Sequence, residues 1–171
     1  GMTVESFASY YVRTDGGTPN GAGGTTVCNG QTDAPAAGNS PNCAFNHPNW
    51  SIPANGQPTT WKLPAGDTLY IAGPQDGKGT GVYRMGCQGT ANCLDATINM
   101  TGTTCNPSAS YDCGNIVVNS GPNNSTRTTI KGCGPSGCGS NKYPELWLAG
   151  RMDSLFDMTG SSNITWSNLE I

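Results

Sequence analysis

The sequence predicts an all-β solenoid, in which short strands stack layer on layer, and three observations predict it. Helical periodicity is absent: no stretch of 11 residues keeps an i, i+3, i+4 apolar pattern free of Gly or Pro. From residue 60 onward the apolar segments are three to five residues long and are separated by Gly, Asn, Ser and Pro, with no Asn-Gly hairpin turn between them. Ile130 and Phe156 stand 26 residues apart, within the roughly 20–30 residues of one solenoid coil. An antiparallel sandwich is the competing all-β arrangement. The coil-length spacing favours the stack.

The elements follow in order. Tyr10-Tyr11-Val12 reads as the first strand. Residues 13–42 read as a Gly-, Asn-, Pro- and Thr-rich loop too polar to pack, with Cys28 inside it. Residues 43–50 are the one place for a short capping helix, which Pro48 limits to a turn or two. Pro64-Ala-Gly-Asp67 is a turn signal before the compact strand Thr68-Leu-Tyr-Ile-Ala72. Gly81-Val-Tyr-Arg-Met85 follows, and residues 86–114 read as a polar insertion carrying four cysteines. Further strands are predicted at 115–119, 128–131, 145–148, 155–158, 164–166 and 169–171. Alternation over 155–171 makes Phe156, Ile164, Trp166, Leu169 and Ile171 candidates for the interior.

Composition limits the core. Leu, Ile, Val and Phe number only 23 of 171 residues, a fraction that in other chains signals disorder. Disorder also needs charge, and only 11% of residues are charged. Polarity comes instead from Gly (25) and Asn (17) with Ser and Thr, residues suited to tight turns. The mild net charge of −3 argues against a nucleic-acid binder or a polybasic membrane contact. No apolar run approaches the 18 residues of a bilayer span. No signal peptide is visible, and Gly1-Met2 reads as a remnant of cloning.

Cysteines supplement the thin core. There are eight: Cys28, Cys43, Cys87, Cys93, Cys105, Cys113, Cys133 and Cys138. An even, dense set in a chain this size reads as disulfides and an extracellular or periplasmic location. A zinc site is disfavoured, because no C-x-x-C pair exists and His47 is the only histidine. Cys28–Cys43 and Cys133–Cys138 are the preferred local pairs. The four in the insertion allow three pairings, among which nested Cys87–Cys113 and Cys93–Cys105 bridges would pin the loop at its base.

Four blocks in order carry a resemblance. They are Ala65-Gly-Asp-Thr-Leu-Tyr-Ile-Ala72, then Val82-Tyr-Arg84, then the run from Asn119-Ser-Gly to Thr129-Ile-Lys-Gly132, then Met158-Thr-Gly-Ser-Ser-Asn-Ile-Thr-Trp-Ser-Asn-Leu-Glu-Ile171. Together they resemble the start of proteins of the pectin-lyase-like superfamily. The resemblance implies a right-handed parallel β-helix, with 1–64 as an N-terminal strand, polar loop and cap, and 65–171 as the first coils, all one structural domain. The Cys-rich insertion at 86–114 and the loop at 13–42 depart from the pattern. The resemblance also implies a secreted, polysaccharide-associated protein. In β-helical polysaccharide lyases the catalytic bases and calcium ligands lie on later coils, so no catalytic residue carries over to this chain.

Three functions follow as expectations: the N-terminal part of a polysaccharide-associated β-helix without a complete active site, a fragment of a polysaccharide lyase or glycoside hydrolase whose catalytic coils lie beyond Ile171, or a non-catalytic, adhesin-like or structural surface module. The candidate carbohydrate contacts are Trp50, Tyr83, Arg84 and Arg151, an aromatic pair to stack on sugar rings and two cations for acidic sugars. Trp61, Trp147, Trp166 and Tyr70 read as core aromatics by strand alternation. Arg127 and Lys131 are further cations near strand edges, and Glu145 with Arg151 would form a surface ion pair. Asp67, Asp76, Asp95, Asp112, Asp153 and Asp157 are scattered without a D-x-D-x-D run, so no cofactor is expected and calcium is left to later coils. Asp67 reads as a turn cap, and His47, with no G-x-S-x-G nucleophile in the chain, as a turn cap also. The expected partners are polysaccharide and, through an open C-terminal coil, a second copy of the chain; neither nucleic acid nor membrane is expected.

Overall fold

The computed structural model describes residues 7–19, 26–52, 63–74, 77–85, 87–88, 92–93, 118–138, 142–148 and 158–171. These residues are strand-rich, with a single turn of 3₁₀ helix. The strands are β1 (Ser9–Gly17), β2 (Thr68–Ile71), β3 (Val82–Met85), β4 (Cys87–Gln88), β5 (Asn92–Cys93), β6 (Thr128–Gly132), β7 (Glu145–Leu148) and β8 (Ile164–Ser167). A four-stranded sheet runs β1-β2-β6-β8, and every neighbouring pair is parallel. A second parallel pair joins β3 to β7, and a bridge from Glu145 to Glu170 adds one more rung. The chain therefore visits the two sheets alternately: β2 then β3, β6 then β7, β8 then Glu170. The short pair β4-β5 is antiparallel.

Register sorts the residues by face. Tyr10, Leu69, Ile130 and Trp166 are aligned across the four strands, as are Val12, Ile71 and Gly132. Leu69, Ile71 and Ile130 are fully buried. Successive residues of a strand face opposite sides, so Ser9, Thr68, Thr129 and Thr165 form one outward column and Tyr11, Tyr70, Lys131 and Ser167 another. In the second sheet Tyr83 aligns with Leu146, and both are buried. Ile164, Trp166 and Leu169 are only partly buried but pack on this core, and Ile171 is 70% exposed. The interior expectation thus holds in part for the first three and fails for Ile171, which has no layer over it among the described residues.

Gly132 explains how the layers close. A Cβ there would stand 1.7 Å from the Asn168 carbonyl oxygen. The next layer turns its backbone into the space that a side chain below Ile71 would fill. Asn168 itself makes the corner with φ 57°, a conformation Asn tolerates better than most residues.

The polar N-terminal region packs, contrary to the expectation for 13–42. β1 continues to Gly17, well past Val12. The segment 26–52 then covers the edge of β1 that β2 leaves free. The Tyr11 N–H donates to Gly30 O at 2.7 Å, Gly17 N–H to Ala44 O at 2.9 Å and Cys28 N–H to Thr18 O at 2.7 Å. The Cys28–Cys43 disulfide ties this cover together, and a 15-residue loop closed in this way contributes about 3 kcal/mol. Burial of Arg13, 8% exposed, is compensated by charge. Its Nε and Nη2 donate to the two Asp15 oxygens at 2.8 and 2.9 Å, Nη1 reaches Asp33, and Lys78 pairs with the other Asp33 oxygen. A charge so neutralised is tolerated in a strand that composition alone reads as solvated.

Cys133–Cys138 is also bonded, while the pairing of Cys87, Cys93, Cys105 and Cys113 lies outside the described residues. So do the strand expectations at 115–117 and 155–157. The turn at Pro48–Trp50 is one turn of 3₁₀ helix capped by His47, whose Nδ1 accepts from Asn49 N–H at 3.1 Å.

Asp67 is 7% exposed, and its side chain joins two distant segments rather than capping its own turn. Its Oδ1 accepts the Ala8 N–H at 3.0 Å, which anchors the start of β1 to the turn before β2. Burial pushes the carboxyl above its ordinary value, and the Ala8 hydrogen bond only partly opposes this. The folded state then holds the proton more tightly than the unfolded chain does. Its contribution is fully present below the unfolded pKa and is lost as pH rises through the folded one. Asp67→Asn keeps an acceptor for Ala8 without the buried charge. Urea unfolding is expected to show the variant gaining stability over the wild type at neutral pH, with the gain shrinking at acid pH.

Candidate functional site

Strand parity brings one group of polar and aromatic residues to the outer face of the β3-β7 sheet. On β7, Leu146 points inward at 1% exposure, so Glu145 and Trp147 point out. Trp147 is 51% exposed. Its indole N–H donates to Glu145 Oε2 at 2.7 Å, across a separation of two residues on the same face. The hydrogen bond holds the ring in one orientation and satisfies its only donor. Arg84 is the register partner of Trp147 on β3, and Glu170 is the register partner of Glu145 on the far side. The face thus offers a fixed apolar ring beside carboxylate acceptors, with an arginine position on the adjacent strand.

The sequence candidates fare differently. Trp50 is 3% exposed, its indole N–H held by Asn46 Oδ1 at 2.7 Å. Tyr83 is 1% exposed, its hydroxyl donating to Ala72 O at 3.1 Å and its ring meeting His47 edge-on at 6.1 Å. Both belong to the core, which corrects their expected exposure. An aromatic that finds a buried partner for its polar atom loses the reason to stay at the surface. Arg84 stands in β3 at the proposed face, and Arg151 lies outside the described residues. Glu145 accepts from Trp147, and the pairing expected for it with Arg151 lies outside the described residues.

Trp147 reads as a core aromatic in the sequence and is exposed; Tyr70, read the same way, stands in the outward column of β2 beside Tyr11, because Leu69 and Ile71 take the inward parity. Glu145-Leu-Trp-Leu148 has one charged and three apolar residues, and alternation alone gives two opposite assignments. The signal lay in Glu145: a carboxylate two positions away on the same parity marks the solvent face.

Lys131 lies on the other sheet, on the outward side of β6, and Arg127 immediately precedes that strand. Among the described residues no group of three His, Cys, Asp or Glu side chains converges to hold a metal ion. Of the scattered aspartates only Asp67 is described. His47 is buried in the core, where it caps the 3₁₀ turn and meets the Tyr83 ring.

No protein-family model, curated protein or solved structure matches the chain. The reading of the site therefore rests on its own chemistry: an exposed, oriented indole with polar neighbours, in a disulfide-bonded chain. Among the described residues no helix is long and apolar enough to cross a membrane.

Because Trp147 lies outside the core, removing it leaves the fold intact. Trp147→Ala is expected to change unfolding free energy by no more than about 0.5 kcal/mol. Tyr83→Ala, which empties a core site, is expected to cost about 3 kcal/mol or more. Urea denaturation of the two variants measures the contrast.

Proposed function

We propose that the chain is the N-terminal cap and first coils of a secreted right-handed parallel β-helix of the pectin-lyase-like kind, and that it associates with polysaccharide through its outer faces. The alternating visits of the chain to two parallel sheets, one layer further at each visit, support the coiled architecture. The covered edge of β1 supports its role as the cap, because an edge closed by a loop cannot template a further strand. Two disulfides support an oxidising, extracytoplasmic setting.

The observation that carries the sugar reading is Trp147. An exposed, hydrogen-bonded indole presents a rigid apolar face to the C–H side of a pyranose ring, while Glu145 and Glu170 accept from ring hydroxyls. No catalytic step is assigned to these residues. Calorimetry against oligosaccharides of alginate, pectin and chondroitin tests the reading. In about 1 M salt, where charges are screened beyond about 3 Å, ring stacking persists. Binding to at least one of them is expected there, with Trp147→Ala at least about ten-fold weaker, a loss of about 1.4 kcal/mol. Absence of binding to all of them, or a variant that binds as the wild type does, contradicts it.

A further inference from the structure

We infer that the outer edge of β8 is a self-complementary surface for a second copy of the chain, and that Arg127 holds it closed. The four-stranded sheet has one edge at β1 and one at β8. Segment 26–52 covers the β1 edge, where the Gly30 and Ala44 carbonyls take the Tyr11 and Gly17 N–H groups. β8 has no strand on its far side among the described residues. Hydrogen bonding shows which of its groups point there. The Thr128 N–H donates to Asn163 O at 3.0 Å, and Thr128 is the register partner of Ile164. In a parallel ladder a residue bonds to the two that flank its register partner, and alternate residues turn their backbone groups to opposite sides. Thr165 therefore faces β6, and the backbone groups of Ile164 and Trp166 face the edge.

An open strand edge is a template for another chain. The sequence of β8, Ile164-Thr165-Trp166-Ser167, contains neither a charge nor a proline to blunt it. Protection comes from the neighbouring strand. Arg127, exposed and just ahead of β6, donates from Nε to the Thr165 hydroxyl at 2.8 Å and from Nη2 to Ile164 O at 2.6 Å. Thr165 stands in the outward column and Ile164 O on the rim. The guanidinium thus bends from the face over the edge and occupies an acceptor that an incoming strand needs.

The occupant that fits is a second copy. The covered β1 edge prevents a head-to-tail join, and two identical edges pair antiparallel about a two-fold axis. With the edge-facing residues exchanging hydrogen bonds, Ile164 lies opposite Trp166 of the second copy and Thr165 opposite its own mate. Both inward faces then stay on one side of the joined sheet. Ile164 O must accept the Trp166 N–H of the second copy, and Arg127 already fills that position. The two Arg127 side chains would also meet as like charges beside the Thr165 pair. The self-association expected from the sequence is thereby made conditional on Arg127, and neither Trp147 nor sugar binding enters the inference.

Light scattering after size exclusion, on the whole chain, is the test. The wild type is expected to be a monomer. Arg127→Ala is expected to be a dimer whose melting temperature rises with protein concentration. Arg127→Lys, which keeps the charge, is expected to stay monomeric. Circular dichroism checks the fold, and Arg127→Gln takes the place of Arg127→Ala if that variant does not fold. Cross-linking reads the register. In the Arg127→Ala background, Thr165→Cys is expected to form an intermolecular disulfide, because directly opposed residues of a non-hydrogen-bonded pair lie about 4.5 Å apart between Cα atoms, within disulfide reach. Ser167→Cys, on the same face but opposite Asn163 of the second copy, is expected not to. A monomeric Arg127→Ala or Arg127→Gln chain, a wild type or Arg127→Lys chain that dimerises equally, or equal cross-linking at 165 and 167 overturns the inference.

Discussion

The structure depends on one constraint: the inward column must stay in register from layer to layer. Tyr10, Leu69, Ile130 and Trp166 come from segments far apart in sequence, yet they stand opposite one another in successive strands. A slip of one residue would exchange Leu69 and Ile130 for Thr68 and Thr129, putting hydroxyls in the core and aliphatic groups in water. With only 23 Leu, Ile, Val and Phe residues, the chain has few apolar groups to spare. Register is therefore specified strongly where those groups are, and elsewhere by Gly132, which admits the Asn168 backbone, and by the Cys28–Cys43 bridge across the cap.

The same parity that fills the core furnishes the surfaces. Every residue buried on a strand commits its neighbours to the outside. Burial of Leu146 exposes Glu145 and Trp147. Burial of Leu69, Ile71 and Ile130 sets out the Thr and Tyr columns with Lys131 among them. The proposed indole site is thus a consequence of packing, fixed on a strand rather than on a loop, and its groups are held in place before any ligand arrives.

Much of this was legible in the sequence, for identifiable reasons. The all-β character, the positions of β2, β3, β6, β7 and β8, the two local disulfides and the cap formed by His47 all follow from local signals: short apolar runs, Pro and Gly punctuation, and small cysteine separations. What was not legible depends on contacts between distant segments. The length of β1 beyond Val12 rests on Arg13 meeting Asp33 from the covering loop, a carboxylate that also pairs with Lys78 from the turn after β2. The burial of Trp50 and Tyr83 rests on partners for their polar atoms, Asn46 and the Ala72 carbonyl. The exposure of Trp147 turns on which parity of β7 faces in, a choice that Tyr83 and Leu146 make together across the sheet.

The most direct measurement is a double-mutant cycle between Leu69 and Ile130, 61 residues apart in sequence and register partners in the sheet. Each alanine substitution alone should cost about 2–5 kcal/mol. If the two side chains pack on each other in adjacent layers, the pair should show a coupling energy of about 0.5–3 kcal/mol. Strict additivity, within about 0.3 kcal/mol, would place them out of contact and contradict the stacked architecture.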